Sequence, residues 1–450
     1  MSLGAFGLNR RVLVLALGVC ASLGLISCGG SNTSKNPAQL PERVMASQGA
    51  TSAGSIGGLV VVNGYNDTFS RGSGVSAGSS PSLMAISPTR NVLAAFDASS
   101  NTVYGINTVN ATGMGHVQLP GLTSSMVVPT SSPTGYAAVP AASVDGFSFT
   151  GAVEEMNLSS GGLIATIAVT SAQTVVSNSV GTELLVFSSD SNSVTVLFPG
   201  NVSPPVDTSC LSNTPNSVCA IVPGFDRPVN AVISGTTAYI LNCGAECGGV
   251  QASVQTLDLG SLTAGTPIPV NGATIAFLSG SSLYVAGNGS PTGPLCTSIT
   301  TAAPTAAQYC GTLDIVNLNT MTDPYFNSPA TEIAIPDGYH DRIDMSVNGQ
   351  LFVGSYNCTN VGNAGNPVGE VRGCLSIYNT TNNSMIFPPD NGNVDGLQSF
   401  TTREIEYVAE GGNLRVYDTN FDTLLINDYV PEGSINIVGY VGDVKAIDFF

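Results

Sequence analysis

From about residue 80 to residue 433 the chain repeats one pattern: a short apolar run, a polar turn, then a run in which apolar and polar positions alternate. Leu93-Ala94-Ala95-Phe96-Asp97 is followed by Asn101-Thr102-Val103-Tyr104-Gly105-Ile106-Asn107, and Leu184-Leu185-Val186-Phe187 by Asn192-Ser193-Val194-Thr195-Val196-Leu197. Leu351-Phe352-Val353-Gly354-Ser355 is followed, after an insertion, by Cys374-Leu375-Ser376-Ile377-Tyr378, and Ile405 to Val408 by Asn413-Leu414-Arg415-Val416-Tyr417-Asp418. A further short apolar stretch lies upstream of several of these pairs. Period-two alternation over four to eight residues, bounded by Gly, Asn, Asp and Ser, predicts half-buried strands. Units begin near residues 80, 121, 170, 225, 271, 337 and 397. Four short strands in a period of forty or more residues predict a blade of a β-propeller, in which a small sheet covers both its faces by packing between two neighbours.

Composition sharpens this picture. Only 9% of residues are charged, against about 25% in ordinary domains. The chain has 52 Gly and no Trp. Few stretches favour a helix, and Val, Ile, Thr, Tyr and Phe dominate the apolar runs, so the fold is predicted all-β. Asn101 to Asn107 resembles the core of the YVTN-type propeller repeat, and Asn413 to Asp418 and Asn192 to Leu197 match it less closely. The resemblance implies a lactonase-like propeller superfamily and four-stranded antiparallel blades. Seven units are visible. Two pieces remain, Leu59 to Ser70 and Ile435 to Phe450, whose pairing would close the ring through the termini. The expected domain is a single propeller over 56–450 with seven blades, or eight if the two pieces complete one.

The N-terminal end reads differently. Arg10 and Arg11 precede an apolar run from Val12 to Ile26, too short for a comfortable membrane span and followed by small residues, which marks residues 1–27 as a secretory signal. Leu25-Ile26-Ser27-Cys28 resembles the lipobox of bacterial lipoproteins; the resemblance implies cleavage before Cys28 and acylation of its thiol, and an ordinary signal cut after Ala21 is the alternative. Residues 28–55 are rich in Gly, Ser, Asn, Pro and Ala and read as a flexible tether. In that family the residue after the lipid cysteine biases sorting, and Gly29 implies the outer membrane of the cell envelope, with the domain facing the periplasm or the surface.

Eight further cysteines fall in neighbouring couples: Cys210 and Cys219, Cys243 and Cys247, Cys296 and Cys310, Cys358 and Cys374. In an exported protein, local pairing gives four disulfides that staple long loops. Metal ligation is the rival, weakened by the presence of only His116 and His340. Without residues 1–27 the chain carries ten basic and thirty acidic residues, a net −20 against −18 for the whole. That balance excludes nucleic acid as a partner, which requires a basic stripe.

Candidate chemistry is sparse. His340 lies in Asp337-Gly338-Tyr339-His340-Asp341-Arg342, the most charged segment of the chain, where a channel-lining strand begins. Arg227, Arg342 and Arg403 each precede a predicted first strand, and residues 56–450 hold only eight Lys or Arg; convergence of the three would suit a carboxylate or phosphate ligand. Local pairing with Asp226, Asp341 or Glu404 is the plainer reading. Asn391, Asn393 and Asp395 resemble the start of a calcium loop, but Thr402 stands where the closing Glu belongs. No cofactor is otherwise indicated. The expectation is a non-catalytic, membrane-anchored binding module for a protein or a small anionic ligand. The alternative is a lactonase-like hydrolase, which the propeller resemblance implies, with His340, Arg342 and Glu404 at the channel mouth.

Overall fold

The computed structural model of the chain describes residues 40–51, 56–202, 207–210, 218–289, 310–328, 331–358, 374–388 and 392–448. The signal segment, Cys28, Cys296 and Asn391 lie outside them. Among the described residues the strands form eight sheets, each with a core of four antiparallel strands. Innermost strands touch in sequence around a closed ring: Pro81–Ile86, Ser125–Val127, Ala172–Ser177, Pro228–Ser234, Ile275–Ser279, Tyr339–Met345, Val394–Ser399 and Val444–Asp448, and the last meets the first. The molecule is therefore an eight-bladed propeller, and the expected seven blades are corrected to eight. We number blades 1 to 8 in chain order from the N-terminal one, and strands a to d from the channel outward.

Blade 1 accounts for the difference. Its inner strand is Val444–Asp448 and its outer three are Glu42–Gln48, Gly58–Asn63 and Thr68–Val75. Glu42–Gln48 falls inside the stretch read as a tether, yet its central residues Arg43 to Ser47 are all buried. It pairs antiparallel with Val444–Asp448 on one side and Gly58–Asn63 on the other. The two leftover pieces thus form a full blade because a further strand, hidden among Ser, Asn and Pro, completes it. Two acids bracket the closing strand. Asp443 accepts the Met84 N–H of blade 2 at 2.7 Å. Asp448 binds Arg90 of blade 2 at 2.9 Å and accepts from Thr401 N and Oγ1 of blade 8 at 2.7 Å.

Eight apolar clusters lie one between each pair of adjacent blades. Period-two alternation sorts each strand between two of them. In blade 2, Leu93 and Ala95 face blade 1, while Val92, Ala94 and Phe96 face blade 3. Both faces of each sheet are covered, so strands b and c read as nearly continuous apolar runs.

The d-to-a connections and b-to-c loops emerge on one face of the ring, here called upper; the a-to-b and c-to-d turns emerge on the lower face. The c-to-d turns carry the sequence repeat. In blades 1, 2, 3, 5, 6, 7 and 8 an Asn or Asp ends strand c (Asn63, Asn107, Asn157, Asp258, Asn317, Asn379, Asp418), and its side-chain oxygen accepts a backbone N–H two or three residues on at 2.7–3.1 Å. A residue with positive φ follows in each (Asp67, Ala111, Gly161, Leu262, Met321, Asn383, Asp422). Such Asx turns let the backbone reverse without orphaning an N–H. Blade 4 departs from the pattern. Its c-to-d loop is closed by a Cys210–Cys219 disulfide, and Asp207–Ser209 from that loop adds a parallel fifth strand to blade 3.

Candidate functional site

Strand a is irregular near its upper end in five blades. The pairing register shifts at Ser82, Gln173, Val229, Asp341 and Asp395. An extra residue in one strand re-aims its side chain, and bulges of this kind recur beside functional sites. Here they sit around the upper mouth of the channel, and four of them line or charge it directly.

On one side of the mouth lies a cavity of about 420 Å3. Gln173 and Thr174 of strand a and Phe187 to Ser191 of the b-to-c turn form its blade 4 wall. Blade 5 supplies Arg227, Pro228, Val229 and Cys247, blade 3 supplies Ser124, and Tyr339 of blade 7 reaches it from across the ring. Arg227 and Asp190 pair at 3.3 Å. The ring of Tyr339, 38% exposed, leans on Tyr356 at a centroid distance of 5.3 Å.

The loop bearing Cys247 is fixed in two ways. Cys243 and Cys247 are disulfide-bonded around a short 3-10 turn. Within that turn Glu246 accepts from Asn288 N at 3.0 Å and Nδ2 at 2.8 Å, and Asn288 Nδ2 also donates to Gly338 O at 2.7 Å. Blade 5's loop is thereby tied to blades 6 and 7. Burial pushes the Glu246 carboxyl upward, and the Asn288 hydrogen bonds oppose that. Cys358 and Cys374 are bonded in the equivalent loop of blade 7. With Cys210–Cys219, three of the expected couples are present; of the fourth, Cys296–Cys310, Cys296 lies outside the described residues.

Across the mouth is a charged group. Arg342 Nη1 donates to Asp341 Oδ2 at 2.8 Å and its Nε donates to Asp395 O at 2.6 Å. Asp395 Oδ2 accepts the Tyr440 hydroxyl. Lys445 pairs with Asp443 at 2.8 Å. Burial raises the Asp341 carboxyl to about 6; the Arg342 charge pulls it back, and Asp395 and Asp443 add to the rise.

The sequence candidates separate on the structure. His340 is 2% exposed and turned into the blade 6–7 interface, where Nε2 donates to Pro336 O at 2.9 Å. Burial lowers it to about 4, so it is neutral at physiological pH. Arg227 and Arg342 lie on the upper face, each paired with an acid. Arg403 does not join them. Strand a of blade 8 is Val394–Ser399, so Arg403 follows it in the a-to-b turn of the lower face, bound to both oxygens of Asp67 at 3.0 Å. Glu404 is its exposed neighbour on that lower turn. The length of strand a, roughly 20 Å at 3.3 Å per residue, separates it from Arg342. The three arginines therefore do not converge, and His340, Arg342 and Glu404 form no constellation. Val394 to Gly396 belong to a strand, and Asn393 Oδ1 accepts Asn357 N at 2.9 Å, so the calcium-like stretch is not a loop. Among the described residues no three Asp, Glu, His or Cys side chains converge as a metal site.

Sequence reasoning missed the cavity wall, Glu246, Tyr440 and Asp443. Serines in a polar chain give no signal. Glu246, an acid set between two cysteines only four residues apart, offered one.

No family model matches this chain, and no curated protein matches it in sequence. Solved structures match it in fold. It is similar to the dihydro-heme d1 dehydrogenase NirN in complex with DHE, with 10% identity and a TM-score of 0.56 over 93% of this chain and 77% of that one. The Dos1 propeller matches at 8% identity and a TM-score of 0.53, over 81% and 86% of the two chains. The computationally designed Ika8 protein matches at 9% identity and 0.51, over 86% and 94%. At such identities the likeness carries the propeller architecture alone.

Proposed function

We propose that this chain is a non-catalytic binding module of the cell envelope, anchored through an acyl group on Cys28, and that it holds a small polar ligand in the cavity at the upper mouth of its channel. The observation that carries the reading is the cavity itself. Its volume suits a small ligand, four blades build its wall, and one of them contributes through a disulfide-bonded loop that is held in place before any ligand arrives. Its titratable side chains are Asp190, Arg227 and Tyr339, which include no nucleophile–base pair of the kind acyl transfer requires. The anionic ligand expected from three arginines loses its basis, since Arg227 is neutralised by Asp190 and Arg403 sits on the opposite face.

The test is thermal denaturation of the mature chain against a broad set of small polar compounds, with the variant Ser189→Trp filling the cavity. A compound should raise the midpoint of the native protein and leave that of Ser189→Trp unchanged. A shift that survives Ser189→Trp would place binding elsewhere and sink the proposal.

A further inference from the structure

We infer that the ligand of the channel-mouth cavity is a neutral polyhydroxylated molecule, a mono- or disaccharide; this rests on the binding reading above and names its ligand class. Four features of the wall point the same way.

Charge comes first. Asp190 and Arg227 pair at 3.3 Å and cancel. A carboxylate or phosphate ligand is selected by unpaired guanidinium or ammonium groups, and the wall has none. A cationic ligand would need an unpaired carboxylate there, and the wall has none of those either.

Hydrogen-bonding capacity is second. Ser124, Thr174, Ser188 and Ser189 present hydroxyls, and Gln173 presents an amide. A hydroxyl donates once and accepts twice, as does each hydroxyl of a sugar, so the two surfaces are complementary without any charge. An apolar ligand would strip water from these groups and leave them unpaired, which opposes its binding.

The third feature is Tyr339. Its ring is exposed at the rim and held against Tyr356 at 5.3 Å. A fixed aromatic face is the usual complement to the apolar C–H face of a pyranose, and its hydroxyl adds a polar edge. Size is the fourth. About 420 Å3 lies toward the small end of the 300–1,000 Å3 range of ligand pockets, which excludes a long chain from full enclosure.

The experiment is isothermal titration of the full mature protein with two panels: neutral mono- and disaccharides, and free amino acids and small carboxylates. The variants are Tyr339→Ala and Tyr339→Phe, at a partly exposed rim position, and circular dichroism of each checks that the fold is kept. At least one neutral sugar should bind with an affinity that changes less than twofold between 50 and 500 mM salt, since no charge pair forms on binding. Tyr339→Ala should weaken it about tenfold, and Tyr339→Phe should retain it within about threefold. Binding of an amino acid or carboxylate, with affinity falling steeply in salt, would overturn the sugar class and leave the binding reading standing. No binding from either panel, together with no midpoint shift from the broader compound set, would overturn both.

Discussion

Glu406 should make this protein less stable as the pH rises, and removing its titration should reverse that. The residue lies on strand b of blade 8, facing blade 7, with 0% of its surface exposed. Among the described residues no donor reaches either of its oxygens. Its neighbour is the Asp344 carboxylate, which accepts from Ser399 N at 2.7 Å and Ser399 Oγ at 3.0 Å. The donors cluster on Asp344, so Asp344 holds the charge and Glu406 keeps a proton to donate to it. Lys445, on the closing strand, also favours the charge on Asp344. Burial, and then Asp344, push Glu406 well above the usual 4.5. In the unfolded chain this proton is lost above pH 4.5. Each further pH unit therefore costs the folded state about 1.4 kcal/mol, until the folded group itself ionises. Glu406→Gln keeps an N–H donor for Asp344 and does not titrate. Its stability relative to the native protein should rise by about 1.4 kcal/mol per unit above pH 5. With no Trp in the chain, urea unfolding followed by circular dichroism at pH 5, 6 and 7 is the assay. Buried acids out of contact with Glu406 contribute equally to both proteins and cancel in the difference. A difference that stays flat from pH 5 to 7, or that falls, would refute the protonated assignment.

Three more outcomes follow from named contacts. His340 is depressed from 6.5 to about 4, so below pH 6.5 the unfolded chain takes up a proton that the folded one refuses. Stability should therefore fall by about 1.4 kcal/mol per unit between pH 6.5 and 4, and His340→Gln should lack that component; parallel pH curves for the two proteins would contradict it. Arg403→Ala leaves Asp67, whose side chain is 2% exposed, without its counter-ion and should cost about 3–5 kcal/mol in urea unfolding, with no effect on a ligand at the upper face. A cost below about 1 kcal/mol would mean that water replaces the guanidinium. Replacing Cys358 and Cys374 by Ser opens a link spanning 16 residues and should lower stability by about 3 kcal/mol; an unchanged guanidinium midpoint would show that the bond constrains nothing.

Much of the ring was legible because one residue type does the same work in most blades. The Asn or Asp that ends each YVTN-like stretch, as in Asn107 and Asp418, is the acceptor of an Asx turn, and turns of that kind demand particular residues. The blade number was not legible. Glu42–Gln48 is buried on both faces, so it shows no alternation, and its partner strand lies about four hundred residues away. Arg403 is misplaced for another reason: the calcium-like residues Asn393 and Asp395 mask the start of strand a at Val394, so the strand that Arg403 precedes is the second of its blade. The cavity was invisible for a different reason. Register shifts at Gln173 and Val229 turn side chains toward the mouth, and a shift of one residue leaves no mark in composition or period.

The closing blade also sets an order of events during synthesis. Glu42–Gln48 is made about four hundred residues before the strand that covers its inner edge. Until then blade 1 presents an unpaired strand edge, and the Val44, Ala46 and Met45 surfaces lack Val444, Ala446 and Ile447. The other seven blades are each contiguous in sequence apart from the small exchange between blades 3 and 4, and they can assemble in order as an open arc. Any chain that stops short of residue 444 remains such an arc, with apolar faces bare at both ends. Arrival of Val444–Asp448 is thus coupled to burial of those faces, which makes ring closure a single event that separates sealed copies from open ones.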